Sequence, residues 1–186
     1  MKTFKSRCGV TVATLLLGAS FGLADANGKA KMGTLLQTYV DEAQLGAQVR
    51  HALVMLPWYG LFDNLQYSVR GDTVVLTGQV TRPTLKSDAE AAVRKLEGVS
   101  NAVNNIEVLP LSPNDDRIRL ATYRALFSRS GLDRYALRAV PSIHILVKNG
   151  HVTLVGNVSR SADRIEAGIA ALTVPGVFSV TNDLTV

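Results

Sequence analysis

Few residues in this chain could do covalent chemistry. Its 186 residues hold three histidines, His51, His144 and His151, and one cysteine, Cys8. A hairpin turning at Asn149-Gly150 sets Lys148 opposite His151 and His144 opposite Val155. The two histidines then stand at opposite ends of the strand pair, about four to five residues apart at roughly 3.3 Å each. Metal–ligand bonds are only about 2 Å long, so the spacing predicts no shared metal and polar positions on an exposed sheet face. A serine nucleophile needs a base within hydrogen-bond reach, and no pattern supplies one. Asp115-Asp116 suits the positive N-terminus of a helix better than acid–base work. A single cysteine excludes an internal disulfide and a multi-cysteine zinc site. The residues predict no catalytic centre, no metal and no cofactor.

Binding chemistry is better represented. Arg117, Arg119, Arg124, Arg129, Arg134 and Arg138 crowd one stretch of the second half. Arg117 and Arg124 are seven apart and share a helix face, while Tyr123 and Phe127 are four apart and share another. Arginine beside interfacial aromatics suits an anionic headgroup surface, where each basic residue contributes about 1 kcal/mol. These eight residues form the candidate lipid-binding set. The plainer account is a solvated basic face with Tyr123 or Phe127 in the core, since charge patches alone are unspecific. Trp58, Tyr59 and Phe62 form a second cluster. They either anchor a protein partner or close one end of a small core. Arg70-Gly71-Asp72 spells an adhesion tripeptide, yet Gly among charges is ordinary turn chemistry. No nucleic-acid module or basic-aromatic strand pattern is present, so nucleic acid is not an expected partner.

The elements that position these residues come from an internal repeat. Residues 69–108 lie on 147–186 at a constant offset of 78, with twelve of 40 pairs identical. Upstream the offset becomes 73, so five extra residues of the second copy fall between Leu126 and Val147. Leu45, Val49, Ala52, Leu53 and Leu56 mark one face of a helix. Alternation in Leu65, Tyr67, Val69 and then Val74, Leu76, Gly78, Val80 marks a hairpin. Leu85, Ala89, Ala92, Val93 and Leu96 repeat the helical spacing, with Pro83 in its first turn and Gly98 after its end. A last strand follows over 99–108, with a bulge or turn at Asn104-Asn105. The expected fold class is α+β: two tandem α-β-β-α-β units, each a small mixed three-stranded sheet with two helices packed on one face.

These residues carry a resemblance. VRGDTVVLTGQV, a helix and GVSNAVNNIEV, then VKNGHVTLVGNV and PGVFSVTNDLTV, are similar to the BON domain, named for bacterial osmotically inducible and nodulation proteins. Its marks are the hairpin glycines Gly78 and Gly156, Gly98 and Gly176 after the helix, and Asn104 and Asn182 before the final strand, beside a hairpin turn at Asn149-Gly150 that turn chemistry itself favours. The resemblance implies the α-β-β-α-β fold, a periplasmic or envelope location, a link to osmotic stress, and binding of phospholipid surfaces without catalysis.

Location has its own signal. Lys2, Lys5 and Arg7 precede an apolar run from Val10 to Leu17, and Ala24-Asp25-Ala26 reads as a cleavage site. The run is shorter than the roughly 20 residues that span a membrane. Cys8 precedes it, whereas a lipid-modified cysteine would follow it. The expected layout is a signal peptide over 1–26, a linker over 27–40, and BON-like domains over 41–110 and 111–186, with no transmembrane span in the mature chain. The formal charge of +5 then resolves into +2 on the signal segment, +2 on the linker, −2 on the first domain and +3 on the second. The expectation is an exported envelope-maintenance protein whose partner is anionic phospholipid. The alternative is a protein–protein interaction or structural module with an envelope protein as partner. The sequence leaves open whether the two domains pack together.

Overall fold

The computed structural model describes residues 41–137 and 141–186, so the expectations for the signal peptide, the linker and Arg138 lie outside the described residues. Helix α1 runs over 41–54 and buries Leu45, Val49 and Leu53. Strands β1 (Asn64–Arg70) and β2 (Thr73–Val80) form an antiparallel hairpin with Tyr67 opposite Leu76. Helix α2 (Pro83–Arg94) crosses over, and β3 (Asn101–Asn104) and β4 (Glu107–Val108) return parallel to β2. The second unit repeats the plan in α3 (Pro113–Phe127), β5 (Ile143–Lys148), β6 (His151–Asn157), α4 (Ser161–Leu172) and β7 (Ser179–Thr185). There β5 and β6 are antiparallel, and β6 and β7 are parallel. Parallel return requires a crossover element, and the amphipathic second helix supplies it.

One side of each strand feeds one core. Val74, Leu76 and Val80 meet Leu85, Ala89 and Val93 of α2 in the first unit. Ile143, Ile145, Val147, Val152 and Leu154 meet Ile118, Leu126 and the alanines of α4 in the second. Each fully buried large aliphatic side chain is worth about 1.5–3 kcal/mol relative to exposure.

Polar latches recur at the same places in both copies. Glu42 Oε1 accepts the Gly71 N–H at 2.6 Å. Asp115, its counterpart at the start of α3, accepts from Asn149 N at 2.8 Å and Gly150 N at 2.9 Å. Asp115 therefore does more than complement a helix terminus: it ties that terminus to the hairpin turn. Asn104 Nδ2 donates to the Lys86 carbonyl at 2.9 Å, and Asn182 Nδ2 to the Arg164 carbonyl at 2.7 Å. Those two bonds pin the last strand to the second helix, while the Oδ1 atoms accept locally from Ile106 N and Leu184 N. The strand breaks after Asn104 in the first unit, where Asn105 N donates to the Leu76 carbonyl, and runs unbroken in the second.

The N–H after the second strand is satisfied differently in the two copies. Asp63 Oδ1 accepts from Thr81 N at 2.7 Å. In the second unit the Tyr135 hydroxyl accepts from Ser159 N at 2.8 Å and donates to Asp163 Oδ2 at 2.7 Å. Tyr135 arrives on a one-turn 3-10 helix, Asp133–Tyr135, in the region of the five extra residues.

The two units pack together through the loop after α1. Ile145 N, on the outer edge of β5, donates to the Leu61 carbonyl at 2.9 Å. Leu61 and Phe62 pack against the second core, and Tyr59 stacks on His144 with ring centroids 5.8 Å apart. Glu107 adds an ion pair with Lys148 at the rim. His144 and Leu146 are buried, whereas the aligned Gln66 and Ser68 of the first unit are exposed. The expectation that His144 lies on an exposed sheet face is thus corrected. The face exists, but the first unit covers it. His151 does stay exposed.

Two measurements check this account. At Gly156 (φ 133°) an added Cβ would strike the Ser142 carbonyl, while at Gly98 (φ 87°) it would meet open space. Gly98→Ala is expected to cost about 1–2 kcal/mol for its backbone conformation alone, and Gly156→Ala distinctly more, read as urea midpoints; equal costs would refute the close approach. Burial lowers the His144 pKa, opposed by the backbone of Gly60 and Asp63 and by the Asp63 carboxylate. Its Nδ1 has no hydrogen-bond partner. The unfolded chain, with an ordinary value near 6.5, therefore binds more protons. Stability is full above about pH 6.5 and is lost as pH falls through the folded value. His144→Gln should flatten the decline in urea midpoint between about pH 7 and 5; identical slopes for the two proteins would remove His144 as its source.

Candidate functional site

The arginine-rich stretch folds as α3 and its continuation, beside α4 on one face of the second sheet. The two helices run antiparallel. Asp115, opening α3, meets the Asn149-Gly150 turn, and Gly150 lies against Phe178 just beyond α4. At the other end Asp163, in the first turn of α4, meets Arg134 and Tyr135 beyond α3. The outer sides of both helices consequently point the same way.

The eight proposed lipid contacts do not all reach that surface. Arg117 is exposed and donates to Asn114 Oδ1 at 2.7 Å. Arg124 is exposed as well, and Arg129 is half-buried. Tyr123 faces outward at 40% exposure, and Phe127 packs against the core beneath it, ring centroids 5.1 Å apart. The two alternatives for these aromatics divide between them: one is a surface residue, the other a core residue.

Arg119 is a correction. It is buried, donates to the Val147 carbonyl at 2.8 Å and pairs with Asp116. It falls on the row Asp115, Arg119, Thr122 and Leu126, the helix face turned to the sheet. That i, i+4, i+7, i+11 spacing was the signal available in the sequence, and the crowding of arginines hid it. Arg134 is committed too. It pairs with Asp163, lies 4.8 Å over the Tyr135 ring and donates to the Tyr135 hydroxyl at 3.0 Å. The Tyr135 hydrogen bond, then Arg160 and Arg134, hold the Asp163 carboxyl below the usual carboxylate range. This cluster closes the end of the second unit.

Three exposed apolar residues on α4 escaped the sequence reading: Ile165, Ile169 and Leu172. Of the aromatic cluster, Tyr59 and Phe62 are taken up by contact with the second unit. Trp58 remains 72% exposed, with the Arg82 guanidinium 4.9 Å from its ring centroid.

Among the described residues no group of three or more His, Cys, Asp or Glu gathers to hold a metal. Among the described residues His151 Nδ1 lies 2.7 Å from Ser179 Oγ. The contact joins residues directly opposite in the β6–β7 register, and the Phe178 ring lies against the imidazole, centroids 5.9 Å apart. A groove of about 1140 Å³ runs between α1–β1 and β5–β6, lined by Arg50, His51, Tyr59, Tyr67, His144 and Val155 among others. What the surface can do is present fixed positive charge beside apolar and aromatic side chains. No helix among the described residues is long and apolar enough to cross a membrane.

The BON domain family model matches the chain twice, over residues 41–110 and 115–186. BON domains are associated with envelope and periplasmic proteins and with phospholipid binding, and proteins built from them are generally non-enzymatic binding modules. No curated protein matches the chain. Matching solved structures include the C-terminal domain of CdsD, the structural protein of the type III secretion system of Chlamydia trachomatis, at 12% identity over 74% of this chain and 94% of that one, with a TM-score of 0.30. A second structure of CdsD matches at 12% identity over 76% and 91%, also at 0.30. Likeness at that level carries no argument. The repeat, the shared latches and the doubled family match together establish that the chain belongs to the BON domain family, with two copies in tandem.

Proposed function

We propose that this is an exported, non-enzymatic protein of the cell envelope whose second BON domain docks on anionic phospholipid. The observation that carries the reading is the outward pair Arg117 and Arg124 on α3, with Tyr123 exposed beside Arg124. Arg119 and Arg134 are withdrawn into structural pairs, so the docking charge is concentrated on Arg117 and Arg124, with Arg129 at the border. Residues 1–26 act as the signal peptide, with cleavage near Ala26, and osmotic stress is the setting to which the family resemblance points. A second reading is a module that binds an envelope protein. It is favoured by Trp58, large, exposed and held on its other side by Arg82.

Vesicle sedimentation tests the lipid reading. Two basic residues near an anionic surface contribute about 2 kcal/mol together, so Arg117→Glu with Arg124→Glu should weaken binding to phosphatidylglycerol vesicles at least about 30-fold. Binding of the unaltered protein should fall with added salt, because exposed charges are screened. Unchanged sedimentation of the double variant would sink the proposal.

A further inference from the structure

We infer that the membrane contact has an apolar half on α4, where Ile165, Ile169 and Leu172 enter the headgroup–acyl boundary of an anionic bilayer while the arginines of α3 hold its headgroups. This rests on the lipid reading of the second domain and names the part of that contact the arginines do not explain.

The three side chains are 62%, 52% and 65% exposed. They stand at i, i+4 and i+7, a single row about 10 Å long at 1.5 Å per residue. The opposite side of α4 is spent on the core through Ala167, Ala170 and Ala171. The row therefore lies outside the packing of the domain.

The first domain provides an internal control. At the offset of 78 the aligned residues of α2 are Ser87, Ala91 and Arg94, all exposed. The same fold thus accepts small and charged residues at these three positions. Beyond the helix the contrast continues, with exposed Phe178 aligned to Ser100. Four surface positions in the basic domain are large and apolar where the acidic domain has none.

The occupant follows from what surrounds the row. The helices are antiparallel in one layer, and Leu120 and Tyr123 on α3 are exposed as well. Arg117, Arg124 and Arg164 are exposed on the same two helices. Their positive charge complements anionic headgroups, and helices with an apolar row beside basic residues lie in a membrane interface with affinity set by apolar area plus electrostatic attraction.

The test exchanges the row for the residues of the first domain: Ile165→Ser, Ile169→Ala and Leu172→Arg in the full chain. These replacements sit on exposed positions that the fold already tolerates, and circular dichroism confirms that the variant is folded. Leu172→Arg adds positive charge, so a purely electrostatic contact would strengthen. The expected result on phosphatidylglycerol vesicles is instead a loss of at least about tenfold, with the salt dependence retained. Binding equal to or tighter than that of the unaltered protein, while the Arg117/Arg124 variant loses binding, would overturn this inference and leave the lipid reading standing. Failure of the unaltered protein to bind vesicles would remove both. A dimer in sedimentation equilibrium that the exchange converts to monomer would assign the row to a second copy of the chain and overturn it too.

Discussion

A three-stranded sheet with both helices on one side leaves its other side to water, and much of this molecule is arranged around that constraint. The last strand must run parallel to the middle one, so the second helix returns over the face that the first helix already covers. Nothing within a unit can then shield the opposite face. The first unit leaves it polar, with Gln66 and Ser68 exposed. The second places His144 and Leu146 there, both buried, with Tyr59 of its neighbour stacked on His144. Two copies of one fold have met the same demand in opposite ways, and that difference makes the tandem a pair with a fixed order rather than two equivalent beads.

The helical side shows the complementary divergence. In the acidic first domain the exposed face of α2 is small or charged, while α4 carries large apolar residues. Sheet face and helix face have therefore diverged in the same unit. The second domain is held on its sheet side by the first and presents its helix side outward. A net charge read over the whole chain averages away this division.

Much of the fold was legible in the sequence because it depends on local periodicity and on glycine. The offset of 78 places Gly78 on Gly156 and Asn104 on Asn182, and each pair has the same structural role. The hairpin register around Asn149-Gly150 follows from turn chemistry, with Asn149 at φ 52° and Gly150 at φ 78°. Arg119 and His144 mark the limit. Arg119 reads as one more surface arginine until the row holding Asp115 and Leu126 is seen to face the sheet. Polar type argues for exposure, and tertiary contact overrode it. For His144 no local pattern exists, since its burial depends on a loop more than eighty residues earlier in the chain. The apolar row on α4 was legible in principle, but only by asking where the two copies differ rather than where they agree.

The Leu61 carbonyl on the edge of β5 has a consequence for how the chain comes apart. Leu61 and Phe62 belong by sequence to the first unit and by packing to the core of the second. Opening the first unit withdraws a strand-edge partner and two side chains from the other. The two domains should accordingly melt as one cooperative body, unlike beads on a flexible linker whose transitions separate. A protein that meets a membrane through one domain would then brace that contact with the stability of both.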